Sequence, residues 1–420
     1  MKGAVARLMG STVISQAVLS ASNFFVASYL LRHIGAEPYG YYVLATTAIL
    51  LFVSLQGSFF LTPTINILPA SDLRQRAEYI GGLMRLRLRV TLVIGALIAL
   101  AALWAGFFGW ASWDQVTLIL AGVVAGGAAM YREFVRYLLV FHHQGGLVLR
   151  GDLLYAALFI GSSIVGAMLP NPAVSTVLGL ALAALVSSLA FSMRLWRFEP
   201  WERDEPPAVL HRIASTGGWS AFGAMIHWSF GQGYTYLVAA LLDVRAVAAL
   251  AATRLLLMPL NLLSSGVSDS MFALASRWFA ADGLTRTLRR VAKISVVLVA
   301  VGLAYVGLAW WGRDFFFVDV LKRNFEHQDT LIALWGGLFL MMLLRDQLSC
   351  VLVVLSRLQV LSYITLVSAA TALLIMTFAL PWIGPPGALY GIISGEVVNL
   401  CGMGLLLWVE RRRSSSAVAR

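Results

Sequence analysis

The chain has 420 residues, 60% of them hydrophobic and only 12% charged, with a mean hydropathy of +0.82 and a formal net charge of +11. A soluble domain is about one quarter charged, so this composition excludes a water-soluble fold. The basic excess would suit nucleic acid, but its placement along the chain assigns it to membrane topology and anionic lipid, and no nucleic-acid partner is expected.

A helix needs about 20 predominantly apolar residues to cross a bilayer. Read in order, the sequence predicts twelve such spans, near 11–31, 41–66, 90–112, 115–140, 153–169, 174–193, 215–242, 246–271, 291–311, 330–353, 360–380 and 386–408. With the N-terminus inside, 22 of the 31 basic residues fall in cytoplasmic segments. Five face the other side, and Arg132, Arg136, Arg254 and Arg345 lie within spans. This is the positive-inside pattern, so both termini are expected in the cytoplasm. The first apolar run lacks a small-residue cleavage site and reads as a retained helix.

In the first half, span one places Thr12, Gln16, Ser20 and Asn23 on one helical stripe, and span two does the same with Thr47, Ser54, Ser58 and Thr62. Span four carries Arg132 and Arg136 at i, i+4, with Glu133 able to pair with Arg136. Two like charges so placed repel unless an anion or a carboxylate sits between them, and guanidinium suits a phosphate. The alternative is that the cluster snorkels to the headgroups and locks the bundle.

The polar interruption from Arg194 to Arg212 divides the chain into six spans and six: an N-terminal bundle at 1–200, a cytoplasmic linker at 201–214, and a C-terminal bundle at 215–420. Six is even, so both halves share one orientation and are expected to enclose a central cleft. An offset of 213 supports duplication, bringing Arg32 onto Arg245, Arg132-Glu133 onto Arg345-Asp346, and Pro172 onto Pro385.

In the second half, span seven carries Ser220, His227 and Tyr234, and span eight carries Arg254, Asn261, Ser265 and Ser268. These polar stripes read either as helix–helix hydrogen bonding or as the walls of a hydrated pathway. Arg254, about nine residues or roughly 13 Å into its span, favours the pathway. Candidates for coupling to protons or sodium are Glu133, Asp269, Asp346 and Glu396, with His227 either a titrating group or a packing residue. Cys350 and Cys401 read as small buried apolar residues, and tryptophans such as Trp110, Trp311 and Trp382 mark span ends. Phosphate loops, metal-ligand spacings and nucleophile motifs are absent from the sequence, so neither catalysis nor a cofactor or metal is expected.

Particular runs resemble a known family: Ser15-Gln16 through Ser22-Asn23-Phe24, Tyr29 to Gly35, Tyr39-Gly40-Tyr41-Tyr42, Gln56-Gly57-Ser58 and Pro63 in the first half. Gly218-Trp219-Ser220, Gln232-Gly233-Tyr234 and Ala251 to Pro259 follow in the second. The chain is similar in these runs to the Wzx-like polysaccharide transporter family, the O-antigen and exopolysaccharide flippases of the multidrug/oligosaccharidyl-lipid/polysaccharide exporter superfamily. The resemblance implies an all-α protein of the bacterial inner membrane that moves a polyprenyl-diphosphate-linked oligosaccharide by alternating access, its first two helices in each half lining the cavity. It implies membrane lipids as surroundings, and a polysaccharide polymerase and glycosyltransferases as partners. Gln16, Asn23, Arg132, Arg136, Arg254, Asn261 and Arg345 are then the expected substrate contacts. A multidrug-type exporter is the rival within transport. A polytopic polymerase or glycosyltransferase is the rival among enzymes, expected to carry a large outward catalytic loop.

Overall fold

A computed structural model describes residues 2–68, 72–197 and 209–418. Among these the chain is all-helical. The helices are α1 (Lys2–His33), α2 (Ala36–Gln56), α3 (Thr62–Ile67), α4 (Leu73–Phe107), α5 (Trp113–Phe141), α6 (Gly145–Gly166) and α7 (Pro172–Leu195). They continue as α8 (Val209–Gln232), α9 (Tyr234–Leu241), α10 (Val244–Trp311), α11 (Gln328–Val354), α12 (Leu358–Ile383) and α13 (Pro386–Val418). A π-helical turn, Gly57–Leu61, joins α2 to α3, and another spans Phe315–Val320. Helix α10 is two helices meeting at Gly283, whose φ of 72° lies in the left-handed region that glycine adopts without steric cost.

Eleven helical segments among the described residues are long and apolar enough to cross a bilayer, which makes this a multi-pass membrane protein. The predicted seventh span is the difference. Residues 215–242 do not form one apolar helix: α8 stops at Gln232 and α9 restarts at Tyr234. Polar residues also dilute α8, which carries Ser215, Thr216, Ser220, His227 and Gln232 among its apolar positions. The third span differs at its start. Helix α4 begins at Leu73, well before residue 90, so Arg85, Arg87 and Arg89 are helical.

The chain divides into two compact units, Met1–Met225 and Ile226–Arg420. The division falls inside α8, downstream of the expected linker at 201–214, most of which lies outside the described residues. Its cause is packing. Ile213 is fully buried with Phe60, Leu83 and Phe134, and Gly217 lies so close to the Phe59 carbonyl that a Cβ there would overlap it.

Each unit repeats one packing order. In the first, α5 packs on α7, α7 on α6, and α6 on α1, with α2 and α4 against α5. In the second, α11 packs on α13, α13 on α12, and α12 on α9, with α10 against α11. Close approach depends on small residues, as is usual between membrane helices. Gly387, Gly391 and Gly395 on α13 meet the α12 backbone around Ala372 and Ala379, where a Cβ would stand less than 3 Å from its neighbours. Tryptophans 110, 113, 311 and 382 are exposed at helix ends, and Cys401 is exposed whereas Cys350 is buried.

Candidate functional site

Three arginine-centred sites emerge from the sequence-predicted residues. In the first unit, α5 presents Arg132 and Arg136 one turn apart, towards α6 and α1. Asp152 of α6, fully buried, stands between them: it accepts from Arg132 Nη2 through Oδ1 and from Arg136 Nε through Oδ2 at 2.9 Å. Ser15 of α1 donates to the same Oδ2. Glu133 accepts from Arg132 Nη1 at 2.7 Å and lies 3.7 Å from Arg136 Nη1. The Tyr155 ring covers the Arg132 guanidinium at 4.0 Å. Gly151 makes room for this arrangement by letting the Phe191 ring pass through the space a Cβ would fill.

Of the two readings of Arg132 and Arg136, phosphate capture and a bundle lock, this arrangement supplies the partner that the lock requires. The anion between them is a resident carboxylate, and two arginines meet two acids. Sequence reasoning misses Asp152 because apolar patterning starts span five at residue 153. Helix α6 starts at Gly145, and an acidic residue seven positions inside a helix is the available signal.

In the second unit, the corresponding arginine, Arg345 on α11, donates from Nη1 to Glu396 of α13 and from Nε and Nη2 to Asp346 Oδ1 at 3.1 and 2.8 Å. Ser264 of α10 donates to the other oxygen of Asp346. Glu396 is 1% exposed, and its second oxygen, Oε2, is buried with no hydrogen-bond partner. One arginine here faces two acids, so the cluster is one positive charge short of neutrality.

The third site is Arg254, about ten residues into α10 and roughly 15 Å from its start. Gln232 at the end of α8 accepts from its Nη1 at 3.1 Å, the Tyr234 hydroxyl at the start of α9 lies 3.5 Å from that same atom, and the Trp335 ring lies 5.3 Å from its centre. No carboxylate among the described residues pairs with it. Gln232 and Tyr234, on either side of Gly233, thus converge on one guanidinium.

Of the remaining candidates, His227 lies within electrostatic reach of Arg345 and Asp346, and the others are not gathered at these sites. Gln16 and Asn23 are exposed on α1, each next in sequence to a buried serine, Ser15 and Ser22; Asn261 is exposed on α10. The stripe Ser220, His227, Tyr234 is not one face, because His227 is exposed while Tyr234 is buried beyond the break. The side chain of Asp269 lies outside the described residues. Among those residues no group of three or more His, Cys, Asp or Glu is placed to hold a metal ion.

No family model and no curated protein matches the chain. Solved structures do. A multidrug resistance MATE family transporter of the MOP superfamily, in its inward-facing conformation, matches with a TM-score of 0.73 at 12% identity, over 97% of this chain and 98% of that one. An outward-facing structure of such a transporter matches with a TM-score of 0.63 at 13% identity, covering 99% and 96%. A MOP superfamily transporter from Pyrococcus furiosus, whose reversed binding-pocket polarity suggests a different function, matches with a TM-score of 0.64 at 12% identity, covering 99% and 96%. At such identities the likeness is one of fold, a fold of twelve helices in two bundles.

Proposed function

We propose that this protein is an alternating-access transporter and, within that class, a flippase that carries a polyprenyl-diphosphate-linked oligosaccharide across the bacterial inner membrane, both termini cytoplasmic. The observation that carries the reading is Arg254. A guanidinium at membrane depth with only neutral partners is costly unless an anion joins it, and its planar fork matches a phosphate in two places. Gln232 and Tyr234 orient it, and Trp335 covers it. Asn261, exposed and polar on α10, suits hydroxyl-rich sugar. Glu396 and Asp346 are the groups that bind the driving proton or sodium ion, since their cluster holds one acid more than it holds arginines. Arg132, Arg136 and Glu133 serve as a bundle lock.

The second reading, a small-molecule exporter, is favoured by the fold shared with multidrug transporters. One pair of variants separates the two. Arg254→Gln and Arg254→Lys should each lower polysaccharide export by roughly tenfold or more, the loss expected when a charge-assisted contact worth about 1.5–3 kcal/mol disappears, with membrane abundance unchanged. Export is read by surface glycan staining and abundance by immunoblot. Unchanged export together with increased sensitivity to cationic drugs would establish the exporter instead.

A further inference from the structure

A fifth arginine stands on the opposite side of α5 from Asp152. Arg87 of α4 is 4% exposed, and no acid among the described residues pairs with it. Its Nε donates to Gln56 Oε1 at 2.8 Å. The rings of Phe134 and Tyr131 lie 4.6 and 5.3 Å from the guanidinium centre. Rings stabilise a cation through its face but supply no in-plane acceptor for the remaining N–H groups. Gln56 is itself 5% exposed, and its amide nitrogen is buried with no partner. Donors from two helices thus converge without an acceptor. They do so where α2 passes into the π-helical turn Gly57–Leu61, a backbone irregularity often found at functional sites.

The level in the membrane narrows the ligand. The exposed apolar face of α4 begins at Leu88 and runs through Leu92, Val93, Leu97 and Leu100 to Trp104. From Trp104 back to Arg87 is about 25 Å at 1.5 Å per residue, close to the roughly 30 Å apolar thickness of a bilayer. Arg87 therefore stands at the boundary where headgroup phosphates lie.

We infer that Arg87 and Gln56 form a binding site for a phosphoryl oxyanion at this boundary, with the Arg87 Nη groups and Gln56 Nε2 as donors and Tyr131 and Phe134 as walls. The site lies wholly within the first unit and does not depend on what the protein transports.

The test uses the full-length chain purified in detergent, with Arg87→Gln and Gln56→Leu as variants. Native mass spectrometry measures retention of phosphatidylglycerol against phosphatidylcholine, and thermal unfolding is followed in inorganic phosphate against chloride at equal ionic strength. If a lipid headgroup is the ligand, phosphatidylglycerol retention falls about tenfold in both variants, as expected for loss of a charge-assisted contact. If free phosphate is the ligand, phosphate raises the unfolding temperature of the unaltered protein and of neither variant. Should Arg87→Gln fail to accumulate, Gln56→Leu keeps the cation and carries the test. If the variants match the unaltered protein in both measurements, the site is refuted and Arg87 is a cation held by two rings and one amide.

Discussion

The two units hold the same device in different states of charge balance. Arg132 and Arg136 face Asp152 and Glu133, so the first cluster is neutral, and Ser15 supplies a further hydrogen bond. Arg345 alone faces Asp346 and Glu396, and one oxygen of Glu396 is left buried and unpaired. A balanced buried cluster is disrupted by removing any one member, since each removal strands a charge. An unbalanced one has a place for a proton or a cation, and its acid can be neutralised without stranding an arginine. On the proposed function, the balanced cluster is the lock and the unbalanced one is the part able to respond.

Four substitutions sharpen or break that contrast. The largest effect is expected at Asp152. Asp152→Asn leaves two arginines to share the one acid Glu133 around a fully buried position and should cost about 3–5 kcal/mol, seen as loss of protein from the membrane. Adding Arg136→Gln should restore part of it, since residues in one ionic network are not additive. Normal abundance of the single variant would end the reading of this cluster as a lock. Next in size is Gly151→Ala, which pushes a methyl group into the Phe191 ring beside Asp152 and should destabilise by about 1–3 kcal/mol, measured as a lower thermal midpoint in detergent. The smallest stability effect is expected at Glu396. Glu396→Gln leaves Arg345 with Asp346 and should cost only about 1 kcal/mol, the scale of one hydrogen bond. It should nevertheless abolish the response of transport to an imposed proton or sodium gradient, assayed in reconstituted vesicles. A Glu396 variant as unstable as the Asp152 variant would make both clusters structural.

Much of the site is legible in the sequence, but unevenly. Arg132, Glu133, Arg136, Arg345 and Asp346 stand out because charges are rare in apolar stretches, and the offset of 213 links the first-half charges to the second-half pair. Their partners are not legible. By that offset Asp152 corresponds to Thr365, which donates to the Leu361 carbonyl, and Glu396 corresponds to buried Ala183. The second carboxylate therefore comes from α6 in one unit and from α13 in the other, which repeat matching cannot reveal because the acid sits on a different helix of the same packing order. Arg87 reads as one of the cytoplasmic arginines because apolar patterning starts only at residue 90, although the helix carrying it starts at Leu73.

The sequence by itself determined the class of molecule: burying a 60% hydrophobic chain demands a membrane, and the membrane demands helices whose backbone groups satisfy one another. It also determined which residues are out of place there. Only the tertiary structure decided which of those charges are answered and which are left waiting. Helical periodicity tells which residues share a face of one helix, whereas pairing depends on which helices lie side by side and at what height. Asp152 and Arg132 are twenty positions apart, Arg345 and Glu396 fifty-one; packing alone brings each pair into contact, and packing alone leaves Arg254 with Gln232 and Tyr234 in place of an acid.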